Sequence, residues 1–212
     1  FHPGRSILSI GFVGCSLRCP FCQNYHISQS TDAPTDLFAP EELIDLALER
    51  ESFGIAYTYS EPAIHFEYLT ETAEAAYSQG LKNVLVSNGY LNRKPAEELL
   101  SLMDAANIDL KSFNPDFYRK ELGAKLDPVL DFIKIAASEC HLEVTTLIIP
   151  RKNDSKREMR EISRFIASLN PEIPLHLSAY RPTYNYSIPP TPRKLIDDLA
   201  KVAGEYLSFV YK

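Results

Sequence analysis

Apolar residues in this chain follow two patterns that alternate from one end to the other. Six short apolar runs have the length of β-strands, and the longer segments between them carry apolar residues at helical spacing. Such alternation is typical of βα units wound around a parallel sheet. The predicted strands are residues 7–13, 54–59, 83–87, 107–111, 142–149 and 175–180.

The predicted helices are residues 40–49, 63–79, 95–103, 127–138, 155–168 and 191–206. Several begin near a proline, which is tolerated in the first turn of a helix because its missing N–H would have no partner there. Six βα units are fewer than the eight that close a full barrel. The expected fold class is therefore α/β, a partial (β/α)6 barrel followed by one candidate last strand.

The chain has 212 residues, of which 45% are hydrophobic. The hydrophobic content is enough for one substantial core, and the chain is too short for two ordinary domains. We therefore expect a single domain over residues 1–212. The sequence opens on Phe1 rather than Met and ends shortly after an apolar run. We therefore expect it to be trimmed at one or both ends.

Acidic side chains outnumber basic ones, with 28 Asp and Glu against 22 Lys and Arg. An acidic balance gives no electrostatic footprint for nucleic acid or an anionic lipid surface, so neither is an expected partner. No apolar stretch approaches the roughly 20 residues of a membrane helix, and the first residues do not have the layout of a signal peptide. The expected location is cytoplasmic.

Three of the four cysteines lie within eight residues, directly after the first predicted strand. Cys15, Cys19 and Cys22 form the pattern CxxxCxxC. Thiolates are the natural ligands of iron in iron–sulfur clusters, and a short loop with this spacing can reach three corners of a 4Fe-4S cluster. The fourth iron then has no local cysteine and can bind a cofactor. Cys140 is expected at the opposite end of the strands, as a packed core thiol.

Two other interpretations of the cysteines remain open. A structural or binding module could hold zinc in a Cys3His set completed by His26, which lies four residues after Cys22. Zinc sites more often use two separated pairs of ligands. A cluster that serves electron transfer alone is the second interpretation.

The cysteine motif, with Phe21 directly before its last cysteine, resembles that of the radical S-adenosylmethionine (SAM) superfamily. The string GCSLRCPFCQN at residues 14–24, followed by His26-Ile27-Ser28, resembles the pyruvate formate-lyase activating enzyme-like branch. Within it, the nearest resemblance is to radical SAM enzymes of the AmmeMemoRadiSam system. Further matching segments lie where predicted strands end, at residues 57–62, 86–89, 108–111 and 147–150 with Asn153-Asp154.

The resemblance implies that these strand ends form a SAM pocket. Phe21 is expected to pack against adenine, and Ser60 and Glu61 are expected to face the methionine amino group. The rest of the implied pocket is Ser87, Asn88, Asp109 and Lys111. The family's usual Gly-Gly-Glu pattern is absent, because Tyr59 and Ser60 replace the glycines.

The resemblance also implies an enzyme with a 4Fe-4S cluster on Cys15, Cys19 and Cys22. SAM would be cleaved to a 5′-deoxyadenosyl radical that takes hydrogen from a substrate, and a flavodoxin- or ferredoxin-like protein would supply the electron. The substrate is a small molecule or a protein. With a protein substrate, the chain would be a glycyl-radical enzyme activase.

Simpler explanations exist for some of these side chains. Asp109 and Lys111 are two residues apart on one strand, so they share a face and could form a buried ion pair. Glu61 precedes a helix that starts with proline, and glutamates in such positions often interact with the positive end of the helix. For each of these residues, the simpler role and the role in SAM binding both remain open.

The sixth predicted strand carries candidate residues for the substrate side. His176, Ser178 and Tyr180 alternate with apolar neighbours and so share one face, which we expect to point into the cavity. For His176, a hydrogen-bonded core histidine is an equally weighted alternative. Arg181, just past the strand, is a candidate for binding a carboxylate or phosphate group of the substrate.

Overall fold

The computed structural model describes residues 1–30 and 32–212, and its centre is one parallel β-sheet. Each strand pairs with the next in chain order. The strands are β1 (Leu8–Gly11), β2 (Gly54–Thr58), β3 (Lys82–Ser87), β4 (Ala105–Asp109), β5 (His141–Ile148), β6 (Leu175–Ala179) and β7 (Val210–Tyr211).

The sheet curves into an open barrel. Within the described residues, β1 pairs with β2 alone and β7 pairs with β6 alone, so the first and last strands do not join. The predicted α/β class and partial barrel are confirmed. The candidate last strand exists as β7, which has two residues.

Helices connect the strands and cover the outer face of the sheet. They are α1 (Tyr25–Ser28), α2 (Pro40–Glu49), α3 (Phe66–Ser78), α4 (Arg93–Ser101), α5 (Pro115–Phe117), α6 (Leu126–Glu139), α7 (Lys156–Leu169) and α8 (Arg193–Ala203). The prediction for α2 matches the observed bounds. The prediction for α8 begins two residues early, because the Thr191 hydroxyl donates to the Ile148 carbonyl at 2.6 Å instead of capping the helix.

The two faces of β5 differ in burial. Alternate residues from Leu142 to Ile148, Thr146 among them, are buried against the helices, whereas Glu143, Thr145 and Leu147 face the interior of the barrel with partial exposure. There the Thr145 hydroxyl donates to Asn107 Oδ1 of β4 at 2.7 Å. The interior of the barrel therefore carries polar side chains at β4 and β5, and it opens at both ends of the strands.

The connection from β4 to α6 contains a feature that the sequence did not predict. After α5, residues Tyr118–Leu122 form one turn of π-helix that ends at Gly123, whose φ is +69°. Turns of this kind are rare and are often found at functional sites. Among the described residues, no helix combines the length and the apolar character needed to cross a lipid bilayer.

Gly54 allows β2 and β3 to pair closely, because a Cβ at this position would lie 2.1 Å from the carbonyl oxygen of Lys82. We predict that Gly54→Ala lowers the free energy of unfolding by about 2 kcal/mol or more, since the strands must separate to admit the methyl group. Denaturant unfolding measures this effect. Gly204→Ala is the control, because its nearest neighbour would lie at 3.4 Å, and its change should be below about 0.5 kcal/mol. Equal changes in the two variants would contradict the prediction.

Candidate active site

The three clustered cysteines lie on residues 14–24, which we name the cysteine loop and which follows the carboxyl end of β1. Gly14 starts the loop with φ +91°, and its N–H donates to the carbonyl of Ile27 at 2.8 Å. Leu17 is only 1% exposed and anchors the middle of the loop in the core. The loop is thus fixed on both sides of its first cysteine.

Cys15, Cys19 and Cys22 line one cavity of about 280 Å³ at the carboxyl end of the sheet. Burial raises the pKa of the Cys19 thiol to about 12 and also raises the pKa of Cys15, so thiolates here need positive charge close by. The other lining residues come from the cysteine loop, α1 and the strand ends: Phe21, Gln23, Asn24, Ser28, Ser60, Asn88, Asp109, Lys111, Thr145, Leu147 and Ser178.

Hydrogen bonds hold two of the thiols in place. Cys15 Sγ accepts from the N–H of Leu17 at 3.4 Å and from Asn88 Nδ2 at 3.6 Å. Cys22 Sγ lies 3.2 Å from the hydroxyl of Ser28. Donors to sulfur favour the thiolate form, which is the form that binds metals.

Glu61 and Ser87 lie directly behind the cavity wall, and the structure brings them together. Glu61 is 1% exposed and accepts from the Ser87 hydroxyl at 2.7 Å, the N–H of Asn88 at 2.8 Å and the N–H of Ala63 at 3.1 Å. The bond to Ala63 caps the start of a 3-10 helix, Pro62–His65, and it is the interaction with a helix start that was expected as the simpler role of Glu61. Glu61 and Ser87 therefore support the wall, whereas Asn88 reaches the cavity itself.

Tyr59 and Ser60 adopt the backbone conformation that glycine favours. Their φ angles are +49° and +64°, in the left-handed region. The Ser60 hydroxyl donates to the carbonyl of Gly14, and the N–H of Phe12 donates to the carbonyl of Tyr59. The sharp turn after β2 is thus formed without glycine, and Ser60 lies in the cavity wall.

Asp109 and Lys111 form the ion pair that their spacing on one strand predicts. Lys111 Nζ lies 3.0 Å from Asp109 Oδ2, and the Asp109 side chain keeps 38% of its exposure. Burial opposes the charge on Lys111, but the charges of Asp109 and Cys19 outweigh this and raise its pKa. Lys111 is therefore a fixed positive charge beside the cysteines, and its partner remains open to the cavity.

Asn153 holds the backbone beneath this pair, a role that the sequence pattern does not predict. It is 1% exposed, and its Nδ2 donates to the carbonyls of Lys111 at 2.7 Å and Leu147 at 2.8 Å. Its Oδ1 accepts from the N–H of Ile149 at 2.7 Å. Its place in the matching segment of residues 147–150 with Asn153-Asp154 was the available signal. Only the fold shows that it joins the ends of β4 and β5.

The expectation for His176 needs correction. Its ring stacks on Tyr211, and its Nε2 lies 2.6 Å from Glu143 Oε2. Both partners line a separate cavity of about 710 Å³ at the amino end of the sheet, together with Cys140. Ser178 shares the strand face of His176 but lies about 6.6 Å further along, in the cysteine cavity. Alternation identified the face correctly but not the end of the barrel.

Tyr180 also lies outside the cysteine cavity. It is 1% exposed, and its hydroxyl donates to the carbonyl of Tyr186 at 3.0 Å. The strand ends at Ala179, so the alternation no longer decides where the Tyr180 side chain points. Arg181 is exposed on the following loop and does not line the cavity; its role toward substrate stays a prediction.

The strand ends thus bring three thiols, a lysine, a carboxylate and amide groups into one cavity. The family model of the Radical SAM superfamily matches residues 9–166. The chain belongs to the radical SAM superfamily. It is therefore an enzyme of a family that uses an iron–sulfur cluster and SAM.

Curated relatives of this radical SAM chain include activating enzymes. An uncharacterized protein of Methanocaldococcus jannaschii is 37% identical over the whole chain and 64% of its own length. The (2S)-3-sulfopropanediol dehydratase activating enzyme of Klebsiella oxytoca is 25% identical over 56% of the chain and 38% of its own length. Pyruvate formate-lyase 1-activating enzyme of Escherichia coli K12 is 21% identical over 77% of the chain. The chain therefore spans less than two thirds of the first two relatives.

Solved structures share the fold at low sequence identity. A domain of pyruvate-formate lyase-activating enzyme from Bacteroides vulgatus has a TM-score of 0.65 at 17% identity, covering 75% of this chain and 99% of that domain. Streptococcus suis SuiB bound to S-adenosylmethionine has a TM-score of 0.74 at 13% identity, covering 98% of this chain and 50% of SuiB. Both likenesses support the partial barrel.

We predict that Asn153→Asp destabilises the chain, because the new carboxylate would face the carbonyl oxygens of Lys111 and Leu147 without a donor. The expected loss in the free energy of unfolding is about 3 kcal/mol, measured by denaturant titration. Asn170→Asp is the control, since Asn170 is exposed and its side-chain oxygen, which an aspartate keeps, accepts from the N–H of Glu172. A stability loss in Asn153→Asp no greater than the control's would contradict this account.

Proposed function

We propose that this chain holds a 4Fe-4S cluster on Cys15, Cys19 and Cys22 and cleaves SAM reductively to a 5′-deoxyadenosyl radical that abstracts hydrogen from a substrate. The observation that carries the proposal is the shared cavity of the three thiols at the carboxyl end of an open barrel, beside Asp109 and Lys111. Active sites of barrel enzymes form at this end of the strands.

The donor set fits such a cluster. All three ligands are cysteines, the usual ligands of iron–sulfur clusters, and the remaining cysteine, Cys140, lies at the amino end of β5. A cluster bound here would keep one iron without a protein thiolate, and that iron can bind the amino and carboxylate groups of SAM. When bound and reduced, the cluster would supply the electron that breaks the SAM sulfonium bond.

Two observations favour this cluster over the zinc alternative. His26, the candidate fourth zinc ligand, packs against Tyr25 with ring centroids 3.8 Å apart and does not line the cavity. Among residues 1–30 and 32–212, no three His, Cys, Asp or Glu side chains converge as ligands of one metal ion would. A zinc site needs its ligands around a single ion, whereas the three cysteine ligands of a cluster bind three different iron atoms and can lie further apart.

The cavity wall offers groups suited to SAM. Phe21 is 3% exposed and would form an apolar wall for adenine. Ser60, Asn88 and the Asp109–Lys111 pair would receive the polar and charged parts of SAM, because a zwitterionic ligand can pair with both members of an ion pair. Glu61 would act from behind, by fixing the position of Asn88.

A protein substrate is a second version of the same function. Two of the curated relatives are named as enzymes that activate another enzyme, pyruvate formate-lyase in one case. The chain would then be a glycyl-radical enzyme activase, whereas a small-molecule substrate would use the same cluster and the same cavity. In both versions a flavodoxin- or ferredoxin-like protein would deliver the electron.

We predict that Cys19→Ala abolishes the formation of 5′-deoxyadenosine from SAM after anaerobic cluster reconstitution and reduction with dithionite. The physical reason is that two remaining thiolates cannot hold three corners of the cluster. Iron and sulfide content and product chromatography measure the outcome. Cys140→Ala should retain both cluster and product, because Cys140 lies at the other end of the barrel. Undiminished product from Cys19→Ala, or zinc without iron in the wild type after reconstitution, would overturn the proposal.

A further inference from the structure

Three loops at the carboxyl end of the barrel meet at one side-chain cluster that has no part in the proposed chemistry. Glu121 lies on the π-helical turn after β4, Lys152 on the loop after β5, and Tyr186 on the loop after β6. Lys152 Nζ lies 2.6 Å from Glu121 Oε1, and the Tyr186 hydroxyl donates to Glu121 Oε2 at 2.5 Å. One carboxylate thus joins two partners from different loops.

The Tyr186 ring is held on several sides. Lys152 Nζ lies 5.2 Å from the ring centroid, at a distance where a cation and an aromatic face attract each other. The carbonyl of Tyr186 accepts from the buried hydroxyl of Tyr180 at 3.0 Å. Burial and the bond to Glu121 raise the pKa of Tyr186 to about 12, so its hydroxyl stays a donor at neutral pH. The ring therefore has little freedom to move.

This ring packs directly against the aromatic residue of the cysteine loop. The centroids of Tyr186 and Phe21 are 5.6 Å apart, and Phe117 contacts Phe21 from the helix before the π turn at 6.1 Å. Such distances are typical of favourable aromatic pairs. Two rings therefore set the position of Phe21. Phe117 belongs to the same β4–α6 connection as Glu121, and Tyr186 belongs to the loop that is hydrogen-bonded to Glu121.

The same two loops also bind the backbone of the cysteine loop. The N–H of Arg18 donates to the carbonyl of Leu122 at 3.1 Å, one residue after Glu121. The N–H of Asn185 donates to the carbonyl of Pro20 at 2.9 Å, one residue before Tyr186. Each loop therefore contacts the cysteine loop once through its backbone and once through an aromatic ring.

We propose that Glu121, Lys152 and Tyr186 form a clamp that positions Phe21 for the adenine of SAM. The members of the clamp are positioning residues, because they act through Phe21 and do not line the cysteine cavity. The inference rests on the proposed function at one point, the assignment of Phe21 to adenine. The ordering of the cysteine loop by the clamp follows from the contacts alone.

The test is Tyr186→Phe, which keeps the ring and removes the bond to Glu121. In the cluster-loaded chain, the affinity for 5′-deoxyadenosine, measured by calorimetry, should fall about tenfold, in proportion to the loss of one hydrogen bond to a charged group. The affinity for methionine and the iron content should remain those of the wild type, because neither depends on adenine. Glu121→Gln should weaken 5′-deoxyadenosine binding, and its combination with Tyr186→Phe should add little.

Tyr184→Phe is the matched control. It removes a hydroxyl from the same loop and keeps the stack of that ring on Tyr25, whose centroid lies 4.7 Å away. Hydrogen exchange of the Arg18 amide provides a second readout that needs no cluster. Exchange should be faster in Tyr186→Phe by more than the small fall in its melting temperature accounts for, and it should be unaltered in Tyr184→Phe.

The outcomes separate the clamp from the function on which it rests. Wild-type binding of 5′-deoxyadenosine and wild-type exchange in Tyr186→Phe would overturn the clamp. Equal losses for methionine and 5′-deoxyadenosine would also overturn it, because they would show general damage to the site. A wild-type chain that forms no 5′-deoxyadenosine from SAM would refute the proposed function instead, and the exchange experiment would still decide whether the clamp orders the cysteine loop.

Discussion

The Glu61 carboxylate is buried at the end of β2, where an unpaired charge would cost several kcal/mol. Its hydrogen-bond donors come from its own 3-10 helix and from Ser87 and Asn88 at the end of β3. Because these bonds must all be kept, the two strand ends cannot move apart. The amide of Asn88 is consequently fixed and donates to Ser16 and Cys15 of the cysteine loop. Although burial raises the pKa of Glu61, its buried carboxyl group thereby helps to fix where the first thiol lies.

Buried polar side chains also join neighbouring strand ends elsewhere in the barrel. Asn153 joins the ends of β4 and β5 through the carbonyls of Lys111 and Leu147. Thr191 joins β5 to the segment after β6, because its hydroxyl donates to Ile148 and accepts from the N–H of Tyr180. An open barrel has no closing strand to hold its end in shape. Buried polar side chains between neighbouring strand ends supply that rigidity at the end where the cavity lies.

The sequence predicted the features that depend on local pattern. Strand and helix periodicity gave the order of the elements, and the carboxyl ends of parallel strands meet at one edge, so Asn88, Asp109 and Lys111 were expected together. Periodicity shows which face of a strand a side chain lies on but not how far along the barrel axis it lies. For this reason His176 was expected at the wrong end of the barrel. Contacts between distant loops, such as Tyr186 with Glu121, have no local signal. The π turn also escaped prediction, since its hydrogen-bond pattern is decided by tertiary contacts.

The turn after β2 shows how the chain departs from its family pattern without losing the backbone shape. Residues other than glycine in the left-handed region cost of order 1 kcal/mol each, and they persist only where neighbouring contacts hold them. Here the Tyr59 carbonyl accepts from Phe12, and the Ser60 hydroxyl donates to Gly14. Glycine at position 60 would relieve the backbone but remove the bond to the residue directly before Cys15. The serine therefore couples a strained turn to the position of the first thiol, which a glycine at that place could not do.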